Sequence, residues 1–215
     1  MRMRSVVFDF DGTLVDSRPG IVSSLRLASE AYGLEPGGVG DWVIGPPAEM
    51  TIHRLMPNHG EAERREFLAV FRKIYARQGW TQSALYDGIV ELLEELRRAR
   101  LNLLLCTSKR KDLTLRLLDH FGIQSFFSAV AADEEHLESH DKKDLLRGLL
   151  EEQKIDPSSC AMVGDCTYDI EAAHAAGAKA VVALYGYGSR QELVAAGAEA
   201  LCESPREITA AIDLL

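Results

Sequence analysis

Residues 5–13 read SVVFDFDGT, and the order of residue types there decides what the rest of the chain has to be. From Ser5 to Phe10 the run is almost continuously apolar and β-favouring, as a strand covered on both faces of a parallel sheet requires. Gly12 breaks it. Asp9 and Asp11 are two positions apart, so on a strand they project to the same side, and at its end both reach one ligand. Two carboxylates that close repel each other and need a cation or a shared proton. A hard cation that prefers oxygen, such as magnesium, meets that need. Gly12 has no side chain in the way and lets backbone amides approach a phosphate.

A buried parallel strand needs partners, and they appear after Asp87-Gly88. A helix over 89–99 leads into the strand LNLLLCT, and a helix from about 109 ends near Gly122. The strand SAVAA, a helix over 141–153, the strand CAMVG, a helix over 169–176 and the strand AKAVVAL follow. A helix near 190–196, a short strand near 199–202 and a helix from Pro205 close the chain. This alternation predicts an α/β fold, a Rossmann-like doubly wound parallel sheet with helices on both faces. Its active site belongs beyond the carboxyl ends of the strands.

Between the first strand and that alternation the pattern is helical. Ile21, Leu25, Ala28 and Tyr32 recur at helical spacing, and a Gly/Pro-rich stretch, EPGGVGDWVIGPP, must be loop. Two more helices are expected around 48–57 and 61–79, the second with an apolar stripe of Phe67, Val70, Phe71, Ile74 and Tyr75. The expected division is a core of residues 1–16 and 83–215 and an inserted all-helical cap domain of residues 17–82. The competing reading has these helices simply packed on the sheet.

Composition narrows the class. The chain has 215 residues, 47% of them hydrophobic, with 24 basic and 33 acidic side chains and a formal charge of −9. That sign argues against nucleic acid or an anionic membrane as partner, and no run reaches the roughly 18 apolar residues of a spanning helix. Cys106, Cys160, Cys166 and Cys202 show no framework spacing and read as reduced thiols. A cytoplasmic protein is expected, monomer or homodimer.

Three further strand ends carry polar groups. Asp165 follows CAMVG directly, and Asp169 stands at the start of the next helix, where it joins the carboxylates of a magnesium site or simply caps the helix. Thr107 and Ser108 end LNLLLC, offering hydroxyl and backbone donors, or cap the helix that follows. Lys142 or Lys143 supplies positive charge at the next helix start; the bland reading is a solvated helix face.

FDFDGTLVDS at 8–17, CTSK at 106–109 and VGDCTYD at 163–169 resemble the first, second and fourth motifs of the haloacid dehalogenase superfamily of phosphatases. The third motif is matched by HDKKDLL, where many relatives have Lys-Pro. Lys142 is the favoured lysine, because its spacing to Leu145 and Leu146 is similar to a Lys-x-Glu-Leu branch. Ser108 stands where relatives often have asparagine. WVIGPP at 42–47 and LYGYGSRQEL at 184–193 are similar to phosphoglycolate phosphatase-like proteins, although GYGS also reads as an ordinary turn.

The resemblance implies that Asp9 attacks phosphorus and that Asp11 serves as acid and then base. It implies that Mg2+ is held by the Asp9 carboxylate, the Asp11 carbonyl and Asp165, with Asp169 in support. Gly12, Thr107, Ser108 and Lys142 bind phosphate, and the substrate is a small phosphorylated metabolite. The cap is expected to close over the site, with Gly45, Pro46, Pro47, His53 and Arg54 near the substrate.

Other chemistries fit less well. There is no Gx4GK[ST] phosphate loop, no GxSxG elbow and no third ligand for the His136–His140 spacing. Asp11 speaks against a dehalogenase, and Lys73, the one cap lysine, has no evident role in phosphonate cleavage. Cys166 reads as a bystander. A phosphomutase of the same fold and a non-catalytic binding protein on this scaffold are the two alternatives.

Overall fold

The structure, a computed structural model, describes residues 3–34, 39–40, 48–134 and 141–215. Gly45, Pro46 and Pro47 in WVIGPP, and the pair His136 and His140, lie outside the described residues. The chain divides into two units, Met1–Val15 with Leu85–Leu215, and Asp16–Ala84. It begins with β1 (Ser5–Phe8). It passes between the units twice, at β2 (Val15–Asp16) and β3 (Ala84–Leu85), which pair as a separate ribbon.

The second unit is helical: α1 (Arg18–Ala31), α2 (Ala48–Leu55) and α3 (Glu61–Arg77). Leu25 and Ala28 of α1, Ile52 of α2 and Phe67 and Phe71 of α3 are buried, and Phe67 meets Tyr32 edge-on at 5.4 Å between ring centroids. His53, Arg54 and Lys73 are exposed.

The first unit continues through α4 (Ile89–Arg98), β4 (Asn102–Arg110), α5 (Lys111–His120), β5 (Ala129–Asp133), α6 (Lys142–Glu152) and β6 (Cys160–Gly164). It closes with α7 (Thr167–Ala176), β7 (Lys179–Ala183), α8 (Arg190–Ala195), β8 (Ala200–Cys202) and α9 (Ile208–Asp213). Six strands form one parallel sheet in the order β5-β4-β1-β6-β7-β8. β1 has β4 on one side and β6 on the other, so the strand order reverses there and a crevice opens beyond the strand ends.

Alternation along the strands covers both faces. Val7, Leu104 and Met162 join Leu146 and Leu149 of α6 and Ile170 of α7 in one buried cluster. Phe8, Leu105 and Val163, of opposite parity, are also fully buried. In α4 the apolar residues Ile89, Leu92, Leu93 and Leu96 recur at helical spacing, and all are buried. The helix packs on α9 and β4.

One strand departs from its expected length. β4 runs to Arg110 rather than ending at Thr107, with a register irregularity against β5 between Thr107 and Arg110. Helix α5 therefore starts at Lys111, with Arg110 at its N-cap. Neither Thr107 nor Ser108 caps it.

Candidate active site

Phe8 is in register with Leu105 on one side and Val163 on the other. Asp9 and Asp165 thus leave the sheet at the same edge, where Thr107 of β4 continues past the end of β1. The Asp9 amide still donates to the Val163 carbonyl at 2.8 Å, which fixes the residue as it leaves the strand. Asp9, Thr107, Asp165 and Asp169 are all buried.

Lys142 is the first residue of α6, a helix whose start is set by Asp141 accepting from the Lys143 amide at 2.9 Å. Its Nζ lies 2.7 Å from Asp9 Oδ1 and 2.5 Å from Asp169 Oδ1. Lys143 instead pairs with Glu171 at 2.9 Å on the surface. Successive residues at a helix start point in different directions, and here only one of the two lysines points inward.

Asp169 stands at the third position of α7, not at its N-cap, which is Cys166. Its Oδ2 accepts from the amides of Asp165 and Cys166, each at 3.0 Å, and from the Cys166 thiol at 3.0 Å. Asp169 therefore closes the first turn of α7 and also faces Lys142. The helix-start reading and the site reading describe one side chain.

Asp165 is held from another loop. The Tyr187 amide donates to Asp165 Oδ2 at 2.8 Å. Residues 184–188, after β7, reach this far because Tyr185 donates its hydroxyl to the Thr13 carbonyl at 2.9 Å and stacks edge-on against Tyr86. A Cβ on Gly186 would lie 2.3 Å from Asp165 Cβ and 2.4 Å from the Gly12 carbonyl oxygen. The GYGS stretch starts in a turn, with the Gly186 amide donating to the Ala183 carbonyl at 3.1 Å, and also holds Asp165.

Gly12 also has a steric role beside Asp165. Its φ is +84°, and a Cβ there would lie 2.1 Å from Asp165 Oδ2. Its amide donates to the Val15 carbonyl at 2.8 Å, so that N–H is already engaged within a tight turn and is not offered to a phosphate. The glycine makes room for Asp165 beside Asp9 and Asp11.

Thr107 Oγ1 accepts from the Lys109 amide at 3.2 Å. Ser108, on the opposite side of the strand, is half-buried. Lys109 was quoted in CTSK without a role; its Nζ lies 3.0 Å from both Oδ1 and Oδ2 of Asp11. The signal for it was parity: Lys109 is two residues beyond Thr107 on an extended strand.

The electrostatics follow from burial. Burial raises the Asp9 carboxyl to about 6, with Lys142 opposing and the Asp169 charge adding to the rise. Burial, then the charges of Asp169 and Asp9, hold Asp165 well above the carboxylate range. Burial works against the Lys142 ammonium, but Asp169 and Asp9 hold its pKa well above the usual lysine value. Burial pushes the Cys106 thiol up to about 12, and burial with Asp169 pushes Cys166 up as well. Burial thus favours the neutral thiol at both positions.

Asp9 and Asp169 thus share the Lys142 ammonium in a buried site, and the ligand atoms of Asp165, Cys166 and Asp169 lie within 4.8 Å of one another. A surplus of buried negative charge on oxygen donors fits a hard divalent cation such as Mg2+.

Known proteins resemble this chain in sequence and fold. Tyrosine-protein kinase PtkA of Mycobacterium tuberculosis is 37% identical over 185 residues, 85% of this chain and 62% of its own length. This chain therefore spans less than two thirds of that relative. Phosphoglycolate phosphatase of Synechococcus elongatus is 31% identical over 214 residues, 99% of each protein. The crystal structure of a predicted phosphatase from Clostridium acetobutylicum superposes with a TM-score of 0.93, at 27% identity and full coverage of both chains. Residues 6–183, which hold Asp9, Asp11, Thr107, Lys109, Lys142, Asp165 and Asp169, match the haloacid dehalogenase-like hydrolase family. With the sheet, the strand-tip carboxylates and this match in agreement, the chain belongs to the haloacid dehalogenase-like hydrolases.

Proposed function

We propose that the chain is a magnesium-dependent phosphatase acting on a small phosphorylated metabolite, a phosphoglycolate-like acid or a nucleoside monophosphate. The observation that carries this reading is the buried pairing of Asp9 and Asp169 with Lys142, beside the buried carboxylate of Asp165. The full-length similarity to a phosphoglycolate phosphatase supports the substrate class.

Asp9 attacks phosphorus, the bond to the leaving oxygen breaks, and that oxygen takes a proton from Asp11. Water then attacks the aspartyl phosphate, gives a proton to Asp11 and frees Asp9. Thr107 and Lys142 hold the non-bridging oxygens where charge develops. Both oxygens of Asp169 are engaged, so its part is to orient Lys142 and the Asp165 backbone. The Asp9 and Asp165 carboxylates and the Asp11 carbonyl would hold Mg2+, which would screen the charge between nucleophile and phosphate. The four free thiols support a reducing, cytoplasmic setting.

The test is release of phosphate from p-nitrophenyl phosphate with magnesium and with EDTA, followed by a panel of phosphorylated metabolites. No metal-dependent release from any of them would sink the reading and favour a binding role. A second reading, transfer of the phosphoryl group from Asp9 to an acceptor other than water, as in a phosphomutase, draws support from the relative named as a kinase. Product analysis separates the two, because transfer leaves little free phosphate.

A further inference from the structure

The two lysines at the strand tips serve different carboxylates. Lys142 faces Asp9 and Asp169, whereas Lys109 faces Asp11 alone among these acids. Lys109 Nζ lies 3.0 Å from each Asp11 oxygen, so one ammonium spans the whole carboxylate. The Lys109 side chain is only 7% exposed, and its ammonium lies 5.9 Å from the centroid of the buried Phe10 ring. The extension of β4 past Thr107 is what carries it there.

We propose that Lys109 is a positioning residue that fixes the Asp11 carboxyl group for proton delivery to the leaving oxygen. The inference rests on the phosphatase reading above, in which Asp11 is the acid. An acid must come within about 3 Å of the oxygen it protonates, and an aspartate has two free rotations with which to miss. A buried ammonium that contacts both oxygens removes that freedom before substrate arrives. Lys109 itself is held by its packing against Phe10, so the constraint passes from the core to Asp11. A purely structural ion pair between Asp11 and β4 would affect all substrates alike.

The experiment compares kcat/KM for two esters of similar shape, p-nitrophenyl phosphate and phenyl phosphate, in the native protein and in Lys109→Met, Lys109→Gln and Lys109→Arg. p-Nitrophenolate departs without a proton, whereas phenolate depends on the acid. Lys109→Met and Lys109→Gln are expected to lose roughly tenfold more on phenyl phosphate than on p-nitrophenyl phosphate. Lys109→Arg is expected to restore most of the difference. Two neutral replacements guard against one variant failing to fold. Equal losses on the two esters, or no loss, overturn the role of Lys109. Absence of magnesium-dependent release by the native protein is a separate result, and it overturns the phosphatase reading instead.

Discussion

Lys142 Nζ lies 2.7 Å from Asp9 Oδ1, and neither side chain is more than a tenth exposed. An ammonium so placed neutralises a carboxylate that water cannot reach, and removing it leaves Asp9 and Asp169 both charged and uncompensated. Lys142→Met is expected to destabilise the fold by about 3–5 kcal/mol and to abolish phosphate release. Lys143→Met breaks an exposed pair with Glu171 and is expected to change stability by less than about 1 kcal/mol. Urea unfolding of both variants checks this.

Asp165 carries a buried carboxyl with no lysine in direct contact among the described residues. Asp165→Asn keeps the acceptor for the Tyr187 amide and removes the charge. In EDTA its melting temperature is expected to exceed that of the native protein by several degrees. The rise that magnesium produces in the native protein should disappear in the variant, together with activity. Thermal scans with EDTA and with magnesium distinguish this from simple misfolding.

The raised Asp9 carboxyl sets a pH dependence for the metal-free protein. Burial, opposed by Lys142, brings it from 3.8 to about 6, so the folded chain holds this proton more tightly than the unfolded chain does. Its contribution to stability is therefore fully present below pH 3.8 and is lost as the pH rises through 6. In EDTA, raising the pH from 5 to 7 should weaken the native protein more than Asp9→Asn. Denaturation midpoints at the two pH values for both proteins provide the check.

Gly186 is expected to tolerate no side chain. A Cβ there meets Asp165 and the Gly12 carbonyl, and the shift needed to admit it moves a carboxylate that the proposed function assigns to magnesium. Gly186→Ala should raise the magnesium concentration required for half-maximal activity by roughly tenfold or more. Gly148, inside α6, has nothing within 4 Å of a built Cβ. Gly148→Ala should stabilise the protein by about 0.5–1 kcal/mol without changing that requirement.

Local signals carried the sheet. Runs such as SVVF and CAMVG are too continuously apolar for anything but doubly covered strands, and the amphipathic helices between them leave one topology open. The carboxylates at strand ends were legible for the same reason, since a polar residue directly after a buried strand needs an explanation. What escaped was non-local. Nothing in GYGS says that its amide will reach Asp165, and nothing around Gly12 says that the space it leaves is for that same side chain. Lys109 was within reach of parity alone, but the expected helix start at about 109 placed it off the strand. Once β4 is allowed three more residues, its direction follows.

The place of β1 in the sheet has a consequence for how the protein is made. β1 is synthesised before the other strands of its sheet, yet its neighbours in the finished sheet begin at Asn102 and Cys160. The nascent chain must carry an apolar, unsatisfied strand through translation of the whole helical insertion. Such long-range parallel pairing is slow and exposed to aggregation. Ribosome-bound chains truncated before Cys160 should therefore bind chaperones, and release them once β6 has been synthesised and can dock.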